Sequence, residues 1–145
     1  MQLTQNTKIT QVVDQSEGAA GTADITGDSV DMQGWDGVVF ICVMGAITAS
    51  AVTSIHAEQS ADDSSFADLA GTNQAIADDA DEEVFVIDIY KPIDRYVRPI
   101  VDRATQNAAV QTVLAIQYQG SKSPVAAHGT GVNVERFVSP AEGTI

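Results

Sequence analysis

The run VVFICVMGAI, Val38 to Ile47, decides the fold. Its apolar residues occupy both parities and many are β-branched, so it reads as a strand apolar on both faces, as one buried in a sandwich core would be. The turn QGWDG precedes it and GAITAS follows. Beyond that turn AVTSIHAEQ, Ala51 to Gln59, carries a polar alternate face through Ser54, His56 and Glu58. The two segments are predicted to form a hairpin about GAITAS.

Outward from this pair the same pattern recurs. TKITQVV (Thr7–Val13) is rich in β-branched residues, and Glu17–Met32 is broken by glycines into a loop followed by short strands around Ile25 and Val30. EEVFVIDIYK places Phe85, Ile87 and Ile89 on one face, and RYVRPIVDRA follows it across PID, with Pro99 marking that strand as an edge or a bulge. QTVLAIQYQG sets Leu114, Ile116 and Tyr118 opposite Ala115, Gln117 and Gln119, which predicts an apolar inner face and a polar outer one. GVNVERFV (Gly131–Val138) is a candidate last strand before a tail at 139–145. One-turn helices are expected at most in SSFADLAG and DRATQNAA. Short strands at intervals of ~8–12 residues, without a long helical period, predict a single all-β domain over 1–145, an antiparallel sandwich or barrel.

The chain has 20 acidic and 7 basic residues, a formal net charge of −13. Such a field disfavours binding to a nucleic-acid backbone. Lys91, Arg95, Arg98 and Arg103 nevertheless cluster in one segment with Tyr90 and Tyr96, and Asp88, Asp94 and Asp102 stand among them. A protein contact or ordinary surface ion pairing are the two readings of this strip. Cys42 is the single cysteine, so an intrachain disulfide and a thiolate zinc site are excluded. No apolar run reaches the ~20 residues of a membrane span, and the N-terminal residues do not read as a signal peptide. A soluble protein made in a cytoplasm is expected.

Catalysis finds little support. His56 and His128 are the only histidines, neither beside a nucleophile-elbow pattern, and no metalloprotease helix is present. GTGVN (Gly129–Asn133) lacks the Lys-Ser/Thr ending of a phosphate loop, and DDADEE (Asp78–Glu83) lacks the alternation of a calcium loop. HAEQSADDSSFADLAG (His56–Gly71) is dense in acids, but Asp62-Asp63-Ser64-Ser65 is natural turn chemistry, and Phe66 and Leu69 bring the chain back toward a core. It reads as a turn, with calcium at Asp62, Asp63 and Asp68 as the alternative. No cofactor is expected, and the chain is not expected to be an enzyme.

GWDGVVFICVMGAIT followed by VTSIHAEQSADDSSFADL resembles the small structural proteins of tailed bacteriophages, most of all the capsid decoration, or cement, proteins. The likeness covers roughly the middle half of the chain as an order of short elements, and departs from the pattern at Ser64, where a glycine is common. The resemblance implies a jelly-roll β-sandwich. It also implies a homotrimer on the outside of the shell, tying neighbouring major capsid protein subunits together without nucleic acid or membrane as partners. The expected location is the virion, after synthesis in the host cytoplasm. Three contact regions follow as expectations. An arm at 1–13, with Leu3 and Ile9, would add to a neighbour's sheet; the strip Lys91, Arg95, Arg98 and Arg103 would meet acidic surface; and Trp35 would serve as an anchor, a buried sandwich tryptophan being its alternative reading. The rivals are a head-to-tail joining or tail-terminator subunit, and a calcium-dependent carbohydrate-binding or adhesion module.

Overall fold

The structure, a computed structural model, describes residues 2–139 and 141–143. Met1 and, within the expected tail, Pro140, Thr144 and Ile145 lie outside the described residues. A one-turn helix, α1 (Leu3–Asn6), leads into β1 (Lys8–Val13), β2 (Ile25–Thr26), β3 (Val30–Asp31) and β4 (Trp35–Ile47). Then follow β5 (Val52–Ser60), β6 (Ala67–Asp68), β7 (Gln74–Ile76), β8 (Val84–Tyr90), β9 (Tyr96–Ala104) and β10 (Ala108–Gly120).

One sheet, A, has the order β1-β10-β4-β8; the other, B, has β2-β9-β5-β6, with β3 also on β9 and β7 also on β5. All these ladders are antiparallel. Counting β2 with β3 and β6 with β7 as one position each, the first pairs with the last, the second with the next to last, and so inward, alternately in A and B. That is a long hairpin wrapped around a barrel, the jelly-roll arrangement.

The wrapping overturns the expected hairpin about GAITAS. β4 pairs with β10 and β8, and β5 with β9, β6 and β7, so the connection through Ser50 crosses from one sheet to the other. Neither predicted helical turn forms: Ala67–Asp68 is β6, and DRATQNAA is the end of β9 and the start of β10, joined through Thr105 at φ +70°. Gly131–Val138 contains no strand.

Pro99 is buried in an interior strand, not at an edge. It is tolerated because the strand alongside is interrupted there. Ala57, its partner on β5, turns its amide and carbonyl toward Thr72 and Leu69, so the position that lacks an N–H faces the break between β2 and β3. Gly27 fills that break, donating its amide to the Pro99 carbonyl at 2.9 Å; a Cβ there would meet Pro99 Cγ at 2.7 Å.

The core lies between the sheets. Val38, Phe40, Cys42 and Met44 of β4 and Val113 and Ala115 of β10 face Ile55 and Ala57 of β5 and Val97 and Val101 of β9, all fully buried. Here β10 reverses the expected faces. Its register slips between Ala108 and Thr112, and this bulge moves burial from Ala108 and Val110 to Val113, Ala115 and Gln117. Gln117 can point inward because its Nε2 donates to the Asp31 carbonyl at 2.7 Å. Leu114, Ile116 and Tyr118 are left on the outside.

Candidate interaction surface

The two sheets differ sharply on their outer faces. Side chains opposite one another across a ladder share a face, so the registers of sheet A give its outer rows directly. Ile9, Ile116, Val39 and Asp88 form one row, and Gln11, Leu114, Ile41 and Val86 the next. Thr112, Val43 and Val84 form a third, and Tyr118, Gly37 and Tyr90 a fourth. Ile9, Val39, Ile41, Val43, Leu114 and Ile116 are half-buried, and Val84, Val86 and Tyr90 are exposed. Asp88 is the single charge in these rows, and its carboxylate accepts the Tyr118 hydroxyl at 2.7 Å. Burial and Asp88 raise the Tyr118 pKa to about 12. Four strands spaced ~4.8 Å apart over some seven residues make an apolar face of roughly 400 Å². A patch of that size is what the largest apolar patch of a monomer usually measures, and such patches are often functional.

This corrects the reading of Val38–Ile47. Val38, Phe40, Cys42 and Met44 fill the core, but Val39, Ile41 and Val43 look outward from a two-layer sandwich and are only half covered. The doubly apolar strand is visible in the sequence; that its second face is left half-covered is not, because that depends on the number of layers.

Sheet B is polar outside. His56 donates its Nδ1–H to the Asp102 carboxylate at 2.8 Å and stands 3.2 Å from Asp68 through Nε2. Ser54 donates to the same Asp102. Glu58 pairs with Arg98 at 2.7 Å, and Arg98 lies 3.7 Å over the Phe66 ring. His56, Glu58 and Asp68 are close enough together to ligate one metal ion, a grouping that the sequence spacing does not reveal, although Arg98 already occupies Glu58.

The residues of the alternative calcium reading, Asp62, Asp63 and Asp68, do not converge. Asp62 accepts the Ser60 hydroxyl and the Ser64 and Ser65 amides, which hold its pKa well below the usual carboxylate range. Asp63, at φ +60°, accepts the Ser29 hydroxyl, while Asp68 faces His56. The stretch is a turn closed by its own side chains.

The basic strip is dispersed. Arg95 makes a two-pronged pair with Asp31 at 2.7 and 2.8 Å; this pair, more than anything else, lowers the Asp31 pKa. Lys91 is exposed, its Nζ 5.3 Å from the Tyr90 ring centre. Arg103 is buried, donating to the carbonyls of Ala23, Ala19 and Ala108 at 2.6, 2.7 and 2.7 Å. Desolvation lowers its pKa. Its guanidinium ties the 19–23 loop to β10 and is not offered to a partner.

Trp35 opens β4 half-buried against Gly120, where a Cβ would meet its ring at 2.8 Å. Leu3 is exposed on α1. Ile9 pairs with Ile116 of the same chain, so the arm completes its own sheet. Its outer edge is in turn covered by residues 125–129: Ile9 accepts the Gly129 amide at 2.7 Å and donates its own to His128 Nδ1 at 3.0 Å, and Val125 donates to the Gln5 carbonyl.

No family model matches the chain, and no curated protein matches it. Among solved structures it is similar to the crystal structure of the PBSX exported protein XepA, with a TM-score of 0.52 at 15% identity. The match covers 96% of this chain and 46% of that one, so the chain spans less than half the length of its structural neighbour. At this identity the likeness is one of fold, a β-sandwich shared along nearly the whole chain.

Proposed function

We propose that the chain is a bacteriophage virion protein that decorates the outside of a capsid shell, resting the apolar outer face of sheet A on major capsid protein. The observation that carries this reading is the asymmetry of the sandwich. One outer face holds Val39, Ile41, Leu114 and Ile116 with a single charge, and the other holds His56, Glu58, Arg98, Asp68 and Asp102. A protein lying on a shell needs an apolar underside and a solvated upper side. The resemblance of Gly34–Thr48 and Val52–Leu69 to structural proteins of tailed bacteriophages supports the reading, and the fold shared with the PBSX exported protein XepA is compatible with it.

The role needs no catalytic group. Its mechanism is the burial of modest patches on many copies at once, so that the lattice gains from effective concentration. The trimer and the virion location belong to the same proposal. The test is to mix purified chain with empty shells of the phage that encodes it, then count bound copies and record the shell's melting temperature. Saturable binding at many sites with a raised melting temperature is expected. Binding at one vertex only would instead indicate a joining protein, and no binding would refute the reading.

A further inference from the structure

The four rows of sheet A end at β8, whose outer edge is paired to nothing among the described residues. Which backbone groups look outward follows from two bonds at its ends. The Met44 amide donates to the Glu83 carbonyl and the Lys91 amide to the Asp36 carbonyl, so odd-numbered residues bond β4. Val84, Val86, Asp88 and Tyr90 therefore aim their amides and carbonyls away from the sheet. Other edges are short or covered: β2, β3, β6 and β7 have two or three residues each, and β1 lies under residues 125–129. β8 is seven residues long with no proline or lysine inside it, the kind of edge that recruits another strand.

We propose that this edge pairs with β8 of a second copy of the chain, antiparallel about a two-fold axis at Ile87. The charge pattern selects this partner and this register. Acids Glu82 and Glu83 precede the strand and Lys91 follows it, so antiparallel pairing of two copies sets Glu83 opposite Lys91 at both ends. The same register faces Val84 with Tyr90, Phe85 with Ile89, and Val86 with Asp88. A shift of one pair toward the C-terminus would oppose Asp88 to Asp88, which like-charge repulsion disfavours. Phe85 and Ile89, half-buried at the rim of the core, are covered by their counterparts. A two-fold axis perpendicular to the paired strands turns both outer faces the same way. The result is one eight-stranded apolar platform.

This contact is independent of the capsid role and is tested on purified chain. Sedimentation and light scattering of the wild type will give an even multiple of the chain mass, a dimer or, where the trimer also forms, a hexamer of two trimers joined edge to edge, and Val86→Pro will halve it. Proline at this position spares the β4–β8 ladder, because the amide it removes faces outward. Lys91→Glu will weaken association by about tenfold or more, and adding Glu83→Lys to it will restore association by swapping the charges. A wild type that stays an odd-numbered species at all concentrations, or an unchanged mass for folded Val86→Pro, overturns the proposal. Should the proline variant fail to fold, the charge pair decides: association lost in Lys91→Glu and not regained in the swap overturns it. Amides of β8 that gain exchange protection only on shells would assign the edge to capsid protein instead.

Discussion

Arg103 is the residue at which the structure departs most from a surface reading of charge, and replacing it by methionine measures the difference. Methionine fills similar volume but removes three donated bonds, to the carbonyls of Ala19, Ala23 and Ala108. Bonds from a charged donor contribute about 1.5–3 kcal/mol each. Three effects reduce the sum. Ala19 and Ala23 are exposed, so their carbonyls regain water; the Ala108 carbonyl keeps the Gly21 amide at 3.3 Å; and the desolvation that lowers the Arg103 pKa is relieved. A net loss of about 2–3 kcal/mol remains. In urea unfolding followed by circular dichroism the midpoint falls by about 1 M for a slope near 2 kcal/mol/M. Arg103→Lys, with fewer and differently directed donors, lies between. Stabilities of both variants within about 0.5 kcal/mol of wild type would refute the structural role and return Arg103 to the surface.

Other outcomes follow from single contacts. Gly27→Ala forces a Cβ against Pro99 and will destabilise the fold by about 1–3 kcal/mol; an unchanged melting temperature would show that the break between β2 and β3 is not needed to seat the proline. Ultraviolet titration of phenolate will contain a component near pH 12, absent from Tyr118→Phe and moved downward by Asp88→Asn. Because the folded pKa is raised, Tyr118's contribution to stability is complete below the ordinary phenol pKa near 10 and is lost as pH climbs through about 12. Absence of such a component would contradict the bond from the Tyr118 hydroxyl to Asp88. Burial lifts the Cys42 thiol to about 12, so alkylation by iodoacetamide at pH 8 will track global unfolding, and rapid labelling of the native chain would contradict its place in the core.

Much of this architecture is legible in the chain because strand burial has a period of two. Phe85, Ile87 and Ile89 point inward as their alternation predicts, and the cores of β4 and β5 follow the same rule. What alternation does not carry is which sheet a strand joins. β4 and β5 adjoin in sequence, yet the jelly roll sends them to opposite layers. A bulge is equally silent: two register shifts about Val110 carry burial from the even to the odd residues of β10, so Leu114 and Ile116 face outward. Charge misleads for Arg103, since composition records a cation and not the carbonyls that receive it. The apolar outer face is hidden in the sequence for a related reason. Val39, Ile41 and Val43 read as core residues, and only the count of layers shows that nothing in the described chain lies over them.

The central claim is that this face rests on a shell. Oxidative footprinting of the chain, alone and bound to shells, tests it most directly. Labelling is expected to fall at Val39, Ile41, Leu114, Ile116 and Tyr90, with His56 and Tyr96 on sheet B labelled as before. Protection confined to sheet B, or an identical pattern in both states, would contradict it.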